Sequence, residues 1–213
     1  MSFFSHKPTD SETVDTVTHS DTLPTSTEHP LVEIIRFSLI AILIVVPIRL
    51  FVAQPFIVSG ASMEDTFHTG EYLIVDQISY YFNEPSRGDV IIFRYPRDPS
   101  KYFIKRIIGL PGDTVIIDKS TVTIIDKNHP EGFQLVEPYA KEIPLAPKLT
   151  ETLGDREYFV MGDNRPESSD SRAWGVLQKE KIVGRAWVRL FPPDVASYLP
   201  GWQVPSIIEN SKK

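Results

Sequence analysis

Three short segments hold most of the residues whose types and spacing could carry chemistry. The first is Ser59-Gly60-Ala61-Ser62-Met63. Small residues beside a serine let other backbone approach closely, as an acyl-transfer nucleophile and its oxyanion donors require. The same composition also suits a plain linker. In the second, Tyr102 to Asp113, Lys105 interrupts a β-type apolar run. Alternation puts Phe103, Lys105 and Ile107 on one face and Ile104, Arg106 and Ile108 on the other, so one of the two cations must lie against apolar surroundings. A lysine amine desolvated there loses its proton more readily and can serve as a general base. An edge-strand lysine that blocks aggregation would look alike. The third segment, Gly162 to Arg172 (GDNRPESSDSR), packs charges, amides and hydroxyls as structured hydrogen-bond networks do. A calcium loop is disfavoured there by the spacing and by Arg165 and Arg172.

Other chemistries are excluded by what is missing. The chain has no cysteine, which removes disulfides, thiolate nucleophiles and Cys-ligated metals. Three of the five histidines lie at positions 6, 19 and 29, and the remaining two, His68 and His129, show no zinc-type spacing. There is no GxSxG, phosphate-loop or GxGxxG pattern. No metal or cofactor is expected. A net charge of −6 argues against a nucleic-acid partner.

The elements that must position these segments fall into composition zones. Residues 1–30 hold twelve Ser or Thr and five acids against one base, and read as a disordered tail. Residues 31–53 are apolar on every face. The uncharged run from Phe37 to Ile48 is too short to cross a bilayer, but the full stretch reaches about 34 Å if Arg36 and Arg49 snorkel outward, so one membrane anchor is expected. A cleaved signal peptide fits poorly, because an acidic stretch precedes the run and no A-x-A site follows it. Lys7 and Arg36 precede the apolar centre, and after Arg49 no cation appears until Arg87. The N-terminus is therefore expected in the cytoplasm and the rest of the chain outside. Residues 54–195 read as an all-β, mainly antiparallel domain, with candidate strands Tyr72–Val75, Asp89–Tyr95, Phe103–Ile108, Thr114–Ile117, Val122–Ile125, Tyr158–Met161 and Ile182–Leu190. Fifteen of the 18 prolines follow residue 46, which disfavours long helices. Glu137–Pro147 reads as an extended Pro-rich loop, and 196–213 as a C-terminal extension.

Together, SGASM, KRIIGLPGD and GDNRPESSDSR, in that order and just after an anchor, resemble the nucleophile, lysine and third boxes of bacterial type I signal peptidases. These are membrane-anchored Ser–Lys proteases. The resemblance spans residues 50–192. It implies Ser62 as the acylated nucleophile and Lys105 as its general base, with Ser168 orienting the amine. It further implies an Asp170–Arg172 ion pair, Asp163 facing Arg106, and Phe56, Val58 and Ile104 lining small pockets for substrate residues one and three before the cut. Met63 and Phe103, beside the nucleophile and the base, are counted with the substrate-binding residues. Gly60 stands where some members carry a hydroxyl, leaving the oxyanion to the Ser62 backbone N–H. Asp65-Thr66-Phe67 replaces the usual Pro-Thr-Leu, a change of turn rather than of chemistry. The implied activity is cleavage of signal peptides from exported preproteins at the membrane, with the lipid bilayer and the preproteins as partners. A peptidase dedicated to one surface or pilus substrate, a catalytically silent β-domain and a self-cleaving repressor are the competing readings. The anchor and the lack of a DNA-binding helical segment count against the last.

Overall fold

The computed structural model describes residues 30–47, 53–142, 148–203 and 206–209. Most of the expected tail, residues 48–52 of the expected anchor and part of the Pro-rich loop lie outside them. Helix α1 (Pro30–Pro47) is predominantly apolar, with a mean hydropathy of 2.2 and Glu33 and Arg36 as its charged residues. Pro30 suits the first turn, where its missing N–H is no loss, and Glu33 complements the positive end of the helix dipole. Its 18 residues rise about 27 Å, close to the thickness of a hydrocarbon core. The expected span ran to residue 53, but Ala53 instead opens a strand.

The second unit is built from antiparallel strands. In the first sheet β1 (Ala53–Ile57) pairs with β2 (Tyr72–Asp76). Strand β3 (Val90–Tyr95) pairs with β4 (Asp98–Gly109). In the second sheet β5 (Thr114–Asp118) pairs with β6 (Thr121–Ile125), β6 with β7 (Phe133–Val136), and β8 (Leu149–Thr152) with the free side of β5. The chain then returns to the first sheet as β9 (Glu157–Met161) and β10 (Leu177–Gln178), and β11 (Ile182–Phe191) inserts between β2 and β3. The first sheet therefore runs β1-β2-β11-β3-β4-β9-β10, and β12 (Ser197–Tyr198) adds to β11. Strand β13 (Ser206–Glu209) adds to β7. Two segments of the expected C-terminal extension, Ser197–Tyr198 and Ser206–Glu209, therefore add one strand to each sheet. Two short helices, α2 (Ser79–Phe82) and α3 (Ser171–Trp174), lie in the connections.

Burial follows the strand alternation in the second sheet, where Val115, Ile117, Val122 and Ile124 face inward against Ile108, Phe159 and Met161 of the first. The middle of the first sheet is covered on both faces. Val90, Ile91, Ile92 and Phe93 are all buried, two of them in one core cluster with Val58, Met63 and Phe67, the other two in a second with Ile107 and Val160. The expected choice between Lys105 and Arg106 therefore does not arise. Both cations are buried.

Candidate active site

Val58 closes the end of the β1–β2 hairpin, its N–H donating to the Glu71 carbonyl and its own carbonyl accepting from Gly70. The loop between them carries Ser62. Gly60 sits at φ +100°, a conformation that side chains rarely adopt, and its N–H donates to Thr69 Oγ1 at 3.0 Å. The turn after Ser62 is fastened by Thr66 and Phe67 N–H groups donating to the Met63 carbonyl, while Met63 and Phe67 are buried below.

Lys105 Nζ lies 2.6 Å from Ser62 Oγ and donates to the Ile104 carbonyl at 2.8 Å. Lys105 is 3% exposed, and among the described residues no carboxylate pairs with it. Burial pushes the amine down to about 8 despite the opposing pull of Asp170 and Asp163.

Those two carboxylates are committed elsewhere. Asp163 holds the guanidinium of Arg106, Nε–Oδ1 at 2.9 Å and Nη2–Oδ2 at 2.6 Å, and accepts from Thr66 Oγ1 at 2.6 Å. Arg106 Nη1 donates to the carbonyls of Gly88 and Gly201. Asp170 binds Arg172 through both oxygens at 2.8 Å and accepts from the Gly162 N–H. Burial alone would raise the Asp170 carboxyl; Arg172 and the Gly162 N–H hold it below the usual carboxylate range. A buried lysine without a counter-ion, beside acids already neutralised by arginine, is the electrostatic arrangement that a neutral amine base requires.

Ser168 behaves differently from expectation. Its hydroxyl is buried with no hydrogen-bond partner, and the bond expected to Lys105 is not made; the Ile104 carbonyl occupies that role. It lies near enough to Asp170 to favour the charged carboxylate, although the hydrogen-bond geometry is not met. Ser168 packs against Gly162, where a Cβ would strike both Ser168 and the Ser62 carbonyl. Gly162 is thus required by close approach of the third segment to the nucleophile loop.

A cleft of about 480 Å³ opens beside the pair. Phe56, Val58, Gly60, Phe103 and Ile104 line it with Ser62 and Lys105. Phe56 and Tyr102 meet edge to face across its outer end, with ring centroids 5.2 Å apart. Met63, expected among the substrate-binding residues, is 1% exposed in the core instead, because the turn after Ser62 directs it inward.

Several site residues escaped the sequence reading. Asn164 fastens the nucleophile loop, its N–H to the Ser62 carbonyl at 3.1 Å and its Nδ2 to the Ala61 carbonyl at 3.0 Å. Glu137 binds Arg165 through both oxygens, and Tyr139 stacks on Arg106 at 3.9 Å. The start of the Pro-rich loop is therefore part of the site. Only Asn164 carried a signal, its place in the polar segment.

Residues 31–191 match the family model described as signal peptidase, peptidase S26. This chain belongs to the signal peptidase S26 family. Signal peptidase I of Leptolyngbya laminosa is 37% identical over 173 residues, covering 78% of this chain and 82% of that protein. Signal peptidase I of Bacillus licheniformis is 35% identical over 179 residues, covering 79% and 92%. Signal peptidase I T of Bacillus subtilis is 39% identical over 165 residues, covering 72% and 81%. A crystal structure of a signal peptidase I from Enterococcus faecalis V583 shares 32% identity and a TM-score of 0.41, covering 48% of this chain and 97% of that one. The activity is that of a signal peptidase I, a serine endopeptidase acting on preproteins that carry signal peptides. The N-terminal apolar helix fits the single-pass anchor of such a signal peptidase.

Proposed function

We propose that Ser62 is the nucleophile of this signal peptidase and Lys105 its general base. The observation that carries the reading is the 2.6 Å contact between Ser62 Oγ and a buried Lys105 amine that lacks a counter-ion. The neutral amine takes the hydroxyl proton as Oγ attacks the scissile carbonyl carbon. The resulting ammonium returns that proton to the leaving amine, the C–N bond breaks, and an ester to Ser62 remains. Water then attacks the ester with Lys105 again taking a proton, which frees the acid and restores the serine.

Among the described residues the Ser62 N–H has no hydrogen-bond acceptor, so it is available to the oxyanion, whereas the Gly60 N–H is taken by Thr69. Asp163, Asp170 and Arg172 are positioning residues that keep the surroundings of Lys105 neutral, and Gly60 and Ser168 shape the loop and its support. The extended substrate adds along the cleft, with Phe56, Val58, Phe103 and Ile104 admitting only small side chains before the cut. The anchor crosses the bilayer once, with the N-terminus cytoplasmic and residues 53–209 outside, as the distribution of cations supports. Incubating detergent-solubilised protein, beside Ser62→Ala, with a preprotein carrying an A-x-A site tests the reading. Cleavage by wild type alone is expected, and cleavage by the variant at more than a small residual rate would remove Ser62 from the mechanism.

A further inference from the structure

Three charged residues line the cleft: Lys101, Lys105 and Glu167. Lys101 faces Asp98 at 3.0 Å, and Lys105 is the buried amine beside Ser62. Glu167 is exposed and, among the described residues, its carboxylate has neither an ion-pair nor a hydrogen-bond partner. The two arginines of its own segment are committed elsewhere, Arg165 to Glu137 and Arg172 to Asp170. A mainly apolar cleft therefore carries one acid without a counter-charge.

That acid is held in place by its backbone. Glu167 closes a 3-10 turn, Arg165–Glu167, in which Pro166 fixes one dihedral and the Glu167 N–H donates to the Asn164 carbonyl at 3.1 Å. Ser168, next in the chain, is extended at φ −114° and ψ 121°, so the side chains before and after it point the same way. Ser168 turns inward with its hydroxyl buried, while Glu167 and Ser169 both face the cleft. The segment abuts the nucleophile, because the Asn164 N–H donates to the Ser62 carbonyl at 3.1 Å. A carboxylate and a hydroxyl are thus preset as acceptors close to the nucleophile, which lowers the cost of ordering them around a ligand.

We infer that Glu167, with the Ser169 hydroxyl, forms a subsite that selects a lysine or arginine side chain next to the scissile bond of the preprotein. The inference rests on the proposed nucleophile and on a substrate lying along the cleft. Residues one and three before the cut enter the small apolar pockets, where a cation would go unpaired. The subsite therefore takes the second residue before the cut or the first after it. The carboxylates whose pull reaches Lys105 are Asp170 and Asp163, so Glu167 acts on the substrate and not on the base. An exposed carboxylate–ammonium pair changes affinity by about two- to fivefold, enough to rank substrates without being required for cleavage.

Binding to full-length Ser62→Ala in detergent reads the subsite without depending on turnover. Fluorescent signal-peptide substrates with alanine one and three before the cut carry Lys, Gln or Glu either two before it or directly after it. At one of these positions Lys should bind about two- to fivefold tighter than Gln, and Glu weaker by a similar factor. The ranking should fade as salt approaches about 1 M, where the screening length falls to about 3 Å. Ser62→Ala/Glu167→Gln should bind the three alike, and Ser62→Ala/Glu167→Lys should prefer Glu. No charge ranking at either position, or a ranking that survives Glu167→Gln, would overturn the proposal. With Ser62 restored, the pH limb of cleavage near 8 should lie at the same place in wild type and Glu167→Gln. A displaced limb would assign Glu167 to Lys105 instead of the substrate and would likewise overturn it. Absence of cleavage by wild type would refute the peptidase mechanism and leave the binding result standing.

Discussion

Asp163 grips Arg106 through both carboxylate oxygens, and both side chains are wholly buried. The pair matters because Lys105 immediately precedes Arg106 in β4: a carboxylate given to Arg106 is not available to Lys105. Removing one partner of a buried pair leaves an uncompensated charge, at a cost of about 3–5 kcal/mol. Asp163→Asn should therefore lower unfolding stability by that order in a denaturant titration, while Asp163→Leu/Arg106→Met loses much less. Equal losses in the single and double variants would show that the pair is not what the buried charges depend on.

Gly162→Ala would force a Cβ into Ser168 and the Ser62 carbonyl. Overpacking of this kind costs about 1–3 kcal/mol, and a displacement of about 1 Å at a nucleophile costs on the order of a hundredfold in rate. The variant should remain folded by circular dichroism and lose roughly that factor in kcat/KM on a signal-peptide substrate. Wild-type kinetics would mean that the loop can yield without moving Ser62.

Asn164→Ala removes the Nδ2 bond to the Ala61 carbonyl but keeps the backbone bond to Ser62. One lost hydrogen bond is worth about 1 kcal/mol, so kcat should fall by roughly tenfold or less with KM little changed. A rise in KM alone would mark Asn164 as a substrate contact.

These dependencies show what was legible in the sequence. Ser62, Lys105 and the ion pairs Asp163–Arg106 and Asp170–Arg172 stand in compact segments, where adjacency in the chain is close to adjacency in space. Glu137 and Tyr139 reach the site from a Pro-rich loop without periodicity, and nothing in their spacing points to Arg165 or Arg106. Strand β1 is absent from the candidate strands and overlaps the expected anchor at Ala53, because apolar content alone does not separate the start of a strand that follows a membrane helix from the end of the helix itself. Met63 was misassigned because its neighbour Ser62 lines the cleft, whereas the turn between them reverses the direction of the side chain. Gly201 offers only a carbonyl, which no residue pattern announces, yet it accepts from Arg106 and brings the chain after β12 to the site.

Stability should carry the mark of Lys105 as well. Its amine is lowered to about 8 in the folded protein from 10.5, so between these values the unfolded chain binds more protons and stability rises with pH. Below about 8 the folded state bears the full cost of a buried ammonium, about 3 kcal/mol at 1.36 kcal/mol per unit. Lys105→Met should accordingly be more stable than wild type at pH 7, with the difference shrinking toward pH 10.5 in parallel denaturant titrations. A variant less stable at neutral pH would indicate that the amine is not penalised by burial.

The central claim is that a neutral Lys105 amine removes the Ser62 proton. Single-turnover cleavage of a signal-peptide substrate across pH tests it most directly, with Lys105→Arg beside wild type. The wild-type rate should climb through a limb centred near 8 and level off above it, while Lys105→Arg, whose guanidinium cannot be neutralised, should be inactive at every pH. A Lys105→Arg protein that cleaves at near wild-type rate, or a wild-type rate flat across that range, would contradict the account.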